Sequence, residues 1–192
     1  MGRLNGPTGI SAISHPVTTI GDGTFMYTAC MSIDVSHTTD VQFLKRCLEL
    51  ARESVSQGDW PFGALVVRDG QIVSEGLNTA RIDIAGHAEV NAIKKFLNSS
   101  RNDLSDCTLY TSFEPCPMCS FIIREYGVGR VVWGLSSPYW GGSSRWKILT
   151  DEIPAHAFAK GKGFVPPHVV GPLLKEETAQ LFEALGFTVH EQ

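Results

Sequence analysis

The sequence predicts an α/β domain whose parallel or mixed sheet is covered by helices on both faces. Segments with apolar residues at 3- and 4-residue spacing alternate along the chain with short apolar runs typical of strands. The 192 residues are 43% hydrophobic and 19% charged, which is enough apolar material for one core. No stretch approaches the roughly 18 apolar residues that cross a bilayer, so a membrane-spanning protein is not expected.

Residues 1–39 differ from the rest of the chain, because they are rich in Gly, Thr and Ser and show no sustained periodicity. We expect either a genuine but poorly structured arm, or a segment of which part lies upstream of the natural start or was added to the natural chain. The folded domain is therefore assigned to residues 40–192.

The first helix is predicted to follow Thr39 or Asp40, since either side chain can accept hydrogen bonds from the free amides of a first turn. An apolar stripe at helical spacing comes next, and Gly58 ends the helix. Two strands then flank Asp69-Gly70, which is a strong hairpin signal because glycine adopts positive φ without strain.

The later elements alternate between helices and short apolar strands. They are a helix over 87–97, a strand over 107–112, a helix ending at Gly127, a strand over 129–135, a strand over 168–174 and a helix over 175–187. Pro172 favours a sheet edge for the last strand, because proline cannot donate a ladder hydrogen bond.

Charge and cysteine content bear on partners and compartment. The chain has 16 Lys and Arg against 20 Asp and Glu, a net charge of −4, with no run of basic residues, which argues against binding a nucleic-acid backbone. Five cysteines, an odd number, and no secretory signal predict a reducing compartment and a cytoplasmic location. In such a compartment a close cysteine pair favours metal or redox chemistry.

Two short motifs carry chemistry, His87-Ala88-Glu89 and Pro115-Cys116-Pro117-Met118-Cys119. Cys-x-x-Cys at a helix start lets two thiolates reach one ion, and one imidazole completes a three-ligand zinc site with an open position for water. Glu89 is then placed as the base that takes a proton from that water. The spacing therefore predicts one catalytic Zn²⁺ per chain, held by His87, Cys116 and Cys119.

Other interpretations of the cysteine pair remain open. It could be a redox dithiol, or it could belong to a closed structural zinc site with Cys107 as a further ligand. We expect Cys107 to be a small core residue instead, because it begins a predicted strand. The combination of His-x-Glu with Pro-Cys-x-x-Cys matches the signature of zinc-dependent base deaminases.

With "PFGALVV", "HAEVNAI", "LYTSFEPCPMC" and "GRVVWG", the chain resembles the cytidine/deoxycytidylate deaminase superfamily. It is closest in character to bacterial guanine deaminases, with features of cytosine deaminases and tRNA adenosine deaminases. The resemblance implies a three-layer α/β/α sandwich around a mixed five-stranded sheet, a homodimer or larger homo-oligomer, and hydrolytic release of ammonia from a base. It also implies the zinc ligands named above and Glu89 as the proton shuttle.

The resemblance further places Asn78 against the base, although only nine residues separate it from His87 where about two more are expected, and Asn78 could be a plain turn residue. Further candidate substrate contacts are Phe62, which could equally be a core residue, and Ala88, Tyr139, Trp140 and Glu152. The last three lie in an irregular stretch after the fourth predicted strand, where exposed aromatic rings can stack on bases. Ser136 and Ser137 stand where the family usually has an acidic residue.

These features favour deamination of a free purine base or similar small aminated heterocycle, with guanine as the leading candidate. A cytosine or nucleoside deaminase is an alternative. A tRNA adenosine deaminase is another, but the C-terminal residues 175–192 are net acidic, whereas RNA binding needs clustered Lys and Arg. A non-catalytic zinc-stabilised binding protein is the third alternative, and Glu89 argues against it.

Overall fold

One mixed sheet of five strands forms the centre of the structure, a computed structural model that describes residues 35–99, 103–151 and 165–187. The strands are β1 (Gly63–Arg68), β2 (Gln71–Leu77), β3 (Cys107–Phe113), β4 (Arg130–Leu135) and β5 (His168–Val170). Their spatial order is β2-β1-β3-β4-β5, with β1 antiparallel to both neighbours and β4 parallel to both of its own. The helices of the described residues are α1 (Val35–Ser56), α2 (Ala88–Ser99), α3 (Pro117–Glu125) and α4 (Lys175–Ala184).

Both faces of the sheet are buried, which confirms the predicted α/β fold class. Alternate residues of β1 point to opposite faces, as the period of a strand requires. Ala64 and Val66 join a core with α2 and α3, whereas Leu65 and Val67 join a second core with α1 and α4. The sheet is thus the middle layer of three.

The first helix begins at Val35, so the prediction that Thr39 or Asp40 caps it was wrong. The Asp40 carboxylate instead joins α1 to the sheet. It accepts hydrogen bonds from Tyr110 Oη at 2.6 Å and from the Arg130 guanidinium at 2.8 and 2.6 Å. Burial raises the pKa of Asp40, but the hydrogen bonds from Arg130 and Tyr110 lower it more, so the net pKa lies below the ordinary value.

The other predicted elements are present with modest shifts at their ends. The hairpin turn has positive φ at both Asp69 (51°) and Gly70 (72°), which is the type I′ turn that the dipeptide predicts. The fifth strand is shorter than predicted and lies at the sheet edge, as expected from Pro172. The predicted arm falls largely on residues 1–34, which lie outside the described residues. Among the described helices, none has the length and apolar character needed to cross a bilayer.

Candidate active site

The N-termini of α2 and α3 bring the two motifs together. His87 immediately precedes α2, which follows β2 after a loop. Cys116 is the N-cap residue of α3, and Cys119 lies in its first turn, with Pro117 at the first helical position. Both helices pack on the same face of the sheet, so the order of elements places one imidazole beside two thiols.

The three side chains form a compact donor group. His87 Nδ1 lies 3.5 Å from Cys116 Sγ and 3.4 Å from Cys119 Sγ, and the two sulfur atoms are 3.6 Å apart. Tetrahedral coordination with Zn–S of about 2.3 Å and Zn–N of about 2.0 Å places sulfurs about 3.8 Å apart and sulfur and nitrogen about 3.5 Å apart. The residues therefore fit zinc in spacing and in donor type.

Cys107 does not belong to this group. Among the described residues, the donor group contains His87, Cys116 and Cys119 only, and Cys107 is buried in the core as predicted. A site with three protein donors leaves one tetrahedral position for water or substrate. A closed structural site would need a fourth protein ligand, and the described residues provide three.

The donor group already favours a thiolate. The hydrogen bond with Cys119, followed by that with His87, lowers the pKa of Cys116 to about 4. The hydrogen bond with Cys116 in turn raises the pKa of His87, and the same partner together with burial raises that of Cys119. A cation bound here would displace the remaining proton, because zinc binds the deprotonated ligands.

Glu89 lies beside the donor group in the first turn of α2. Its side chain is buried, with Oε2 at 3.6 Å from Cys119 Sγ, and Oε1 accepts a hydrogen bond from Thr111 Oγ1 at 3.2 Å. Burial raises the pKa of Glu89, and the negative charge of Cys116 raises it further. A carboxyl group with a raised pKa is suited to accept a proton and later return it.

Asn78, at the end of β2, presents a buried carbonyl oxygen. Its Nδ2 donates to Asp59 Oδ1 at 2.6 Å, and its backbone N–H donates to Ser54 Oγ at 3.0 Å. Its Oδ1 has no hydrogen-bond partner among the described residues. A carboxylate only accepts hydrogen bonds, so the amide nitrogen of Asn78, and not its oxygen, is the atom that faces Asp59.

Asp59 was missed by the sequence analysis. Besides Asn78, it accepts hydrogen bonds from the backbone N–H groups of Trp60 (2.8 Å) and Arg81 (3.0 Å). Burial raises its pKa, but these three hydrogen bonds lower it more, so the net pKa lies below the ordinary value and the group is ionised at neutral pH. An acidic residue two positions before Pro61 was the available signal in the sequence.

The segment 136–151, here called the β4 loop, follows β4 and contains no helix or strand. It carries three exposed aromatic rings, Tyr139, Trp140 and Trp146, whose exposed fractions are 48%, 68% and 52%. Glu152, the further predicted contact, lies outside the described residues. The rings are therefore accessible to a ligand, and they lie on a loop that begins at the carboxyl end of a sheet strand.

Two other predicted contacts are held in the core. Phe62 packs its ring against Phe113 and Phe182, with centroids 5.8 and 5.6 Å away. Ala88 is fully buried, and its carbonyl oxygen lies so close to Gly76 that a side chain there would collide with it. The Phe62 ring is partly buried, so it packs against the core without being enclosed by it.

A family model for the cytidine and deoxycytidylate deaminase zinc-binding region matches residues 37–135, which contain the donor group and Glu89. The chain belongs to this family. Membership identifies it as a zinc-binding deaminase domain, and the three-donor group is the arrangement that such a domain needs.

Relatives of this chain differ in the substrates that their names give. The chain is 37% identical over 100 residues to a probable cytosine deaminase of Schizosaccharomyces pombe. The match covers 51% of this chain and 61% of that protein. The chain is 52% identical over 81 residues to a guanine deaminase of Bacillus subtilis, covering 40% and 52%. It is 33% identical over 127 residues to a tRNA-specific adenosine deaminase of Streptococcus pyogenes, covering 64% and 80%. The chain spans less than two thirds of the length of the first two proteins.

Solved structures agree on the fold. A structure from a study of A-to-I editing by tRNA A34 deaminases has a TM-score of 0.62 and 26% identity, covering 73% of this chain and 99% of that one. Guanine deaminase from Nitrosomonas europaea has a TM-score of 0.57 and 24% identity, covering 74% and 82%. The three-layer architecture of this chain is therefore that of the cytidine deaminase-like proteins.

Proposed function

We propose that the chain catalyses zinc-dependent hydrolytic deamination of a free purine base or a similar small aminated heterocycle, with guanine as the leading candidate. One zinc ion is bound per chain by His87, Cys116 and Cys119. The observation that carries the proposal is the donor group itself, with the buried carboxyl of Glu89 at 3.6 Å from one of its sulfurs.

Zinc held by these residues would acidify a water molecule so that it attacks carbon near neutral pH. The thiolates of Cys116 and Cys119 formally cancel the charge of the ion, so a neighbouring base is needed to remove the proton. Glu89 takes one proton from the attacking water and delivers it to the ring nitrogen next to the reacting carbon. It then moves the second proton, from the newly formed hydroxyl group, to the amine. A C–O bond forms, the C–N bond breaks, ammonia leaves and the product is a carbonyl-bearing base.

The buried oxygen of Asn78 supports the substrate class. Asp59 engages the amide nitrogen, so the acceptor Oδ1 is the atom left for a substrate, which would bring an N–H group to it. Free guanine has N–H groups on its rings as well as on its exocyclic amine, whereas adenine in a nucleoside has N–H groups on its exocyclic amine alone. The net charge of −4 also favours a small neutral substrate over a polyanion.

An ammonia-release screen tests the proposal. The chain is assayed with guanine, adenine, cytosine, their nucleosides and small aminotriazines, and the control is the same preparation stripped by a chelator and then restored with zinc. We expect zinc-dependent ammonia release that is fastest with guanine. Release that survives stripping, or no release from any compound by the zinc-loaded chain, would contradict the proposed function.

A tRNA adenosine deaminase is the second candidate, because the S. pyogenes relative of that name is matched over most of its length. Binding of tRNA at moderate salt separates the two. The first proposal predicts weak binding of tRNA. Affinity for a phosphate backbone comes from Lys and Arg side chains that displace its counterions, and this chain has no run of basic residues. Tight binding that weakens steeply with salt would favour the second candidate.

We also propose that the chain acts as a homodimer or larger homo-oligomer in the cytoplasm. Ile82 and Ile84, on the loop before His87, are 93% and 88% exposed, and such apolar surface favours association. The four described cysteines are free thiols, which suits a reducing compartment. Light scattering of the zinc-loaded chain tests the assembly, and a purely monomeric mass would contradict it.

A further inference from the structure

We propose that Glu114 is a positioning residue that gives the β4 loop its shape and so sets how tightly the substrate binds. The inference rests on the proposed function, because it assigns the loop to the substrate of that same site. Glu114 directly precedes the segment Pro115–Cys119, so one stretch of chain would hold both the metal ligands and the loop.

The Glu114 carboxylate accepts four hydrogen bonds, all from the β4 loop. Oε1 accepts from the backbone N–H groups of Ser143 (3.0 Å) and Ser144 (2.6 Å). Oε2 accepts from the backbone N–H of Ser137 (2.9 Å) and from Ser144 Oγ (2.8 Å). The residue is only 3% exposed, so these hydrogen bonds replace its contacts with water.

The loop lies directly against the segment that carries the cysteine ligands. The Gly142 N–H donates to Pro115 O at 2.8 Å, and a Cβ on Gly142 would collide with the Ser120 side chain. A Cβ on Gly141 would lie 2.5 Å from the Glu114 carboxylate. The two glycines therefore allow a close approach that residues with side chains would prevent.

The four hydrogen bonds close an arc of the loop that carries two exposed rings. Ser137 lies at one end of the arc and Ser144 at the other, and Tyr139 and Trp140 lie between them. Holding both ends on one carboxylate reduces the conformations open to the rings before a ligand arrives. Pre-ordering of this kind lowers the entropic cost of binding, and it leaves the metal donors and Glu89 unchanged.

The test uses the zinc-loaded full chain and three variants. Glu114→Gln keeps the shape but replaces one acceptor oxygen with a donor. Ser144→Ala removes one of the four hydrogen bonds to Glu114, together with the contact of Ser144 Oγ with Ser137 O at 3.0 Å. Ser143→Ala is its matched control because only the backbone of Ser143 binds Glu114. The readouts are zinc content, kcat and KM for guanine, and hydrogen–deuterium exchange of peptides covering 136–146.

Loss of hydrogen bonds to a charged acceptor should speed amide exchange in this peptide by at least about tenfold in Glu114→Gln. KM for guanine should rise by roughly tenfold, while kcat changes by less than about threefold and zinc content stays constant. Ser144→Ala should show a smaller shift in the same direction, and Ser143→Ala should behave as the unmodified chain.

Unchanged exchange in Glu114→Gln, or loss of its zinc, would overturn the proposal. So would a fall in kcat with constant KM, because it would place Glu114 in the chemistry. If Glu114→Gln does not fold, equal rates of amide exchange over residues 136–146 in Ser144→Ala and Ser143→Ala overturn the proposal. If the unmodified zinc-loaded chain does not deaminate guanine, the choice of guanine fails, while the exchange data still decide whether Glu114 holds the loop.

Discussion

Replacing Asn78 by alanine tests whether its buried carbonyl oxygen is kept for a ligand. The change removes the 2.6 Å hydrogen bond to Asp59 and also removes an oxygen with no partner among the described residues. A hydrogen bond to a charged group contributes roughly 1.5–3 kcal/mol, and an unpaired buried polar atom costs roughly 1–3 kcal/mol. These opposing terms nearly cancel, so the free energy of unfolding should change by less than about 1 kcal/mol.

Activity should respond far more strongly, because the substrate loses its acceptor. Loss of one such hydrogen bond lowers kcat/KM by about 5- to 150-fold, which corresponds to roughly 1–3 kcal/mol. Urea unfolding followed by tryptophan fluorescence gives the stability, and ammonia release gives kcat/KM. Asp59→Ala is the comparison variant. It should lose stability in addition to activity, since Asp59 also binds two backbone N–H groups. If Asn78→Ala loses more than about 3 kcal/mol of stability while kcat/KM per folded chain is unchanged, the amide is purely structural.

Cys116→Ala should reduce zinc from about one ion per chain to nearly none, as measured by atomic absorption, because a two-donor site binds zinc poorly; full retention would contradict the ligand assignment. Glu89→Ala should keep its zinc yet lose at least about 100-fold in kcat, and near-normal turnover would remove Glu89 from the mechanism. Asp40→Asn should lower the free energy of unfolding by about 2 kcal/mol near neutral pH. Because the folded-state pKa of Asp40 lies below its ordinary value of 3.8, this stabilisation is present above that pH and is lost as the pH falls through the lower folded-state pKa. The free energy of unfolding, measured at a series of acidic pH values, should therefore fall less in Asp40→Asn than in the unmodified chain. An equal fall in both proteins would contradict the assignment.

The sequence predicted the features that depend on neighbours along the chain. Asp69-Gly70 predicted a hairpin because positive φ at two successive residues is a local property, and both angles are positive. The donor group was predicted because Cys116 and Cys119 share one helix turn and His87 begins another. In the structure both helices follow strands of the same sheet and pack on one face of it, which brings the two motifs together.

Features that depend on distant partners could not be predicted in this way. Asp40 stands where a helix cap is plausible, but its partners Tyr110 and Arg130 are 70 and 90 residues away. A cap and a tertiary ion pair use the same residue type, and the local sequence does not distinguish them. The partners of Glu114 in the β4 loop are 23 to 30 residues further along an irregular stretch, so no periodicity pointed to them.

Hydrogen bonds close the base of the short connection between Asn78 and His87. The Thr79 N–H donates to Gly86 O at 2.8 Å, and Asn91 Nδ2 donates to both Thr79 Oγ1 (3.0 Å) and Gly86 O (3.1 Å). These hydrogen bonds hold the two ends of the connection together, so residues between them can be removed or added without moving Asn78 or His87. The exposure of Ile82 and Ile84 at its tip follows from the same closure. In this chain we expect the β4 loop, which has Ser136 and Ser137 at its start and carries exposed aromatic rings, to set the choice of substrate.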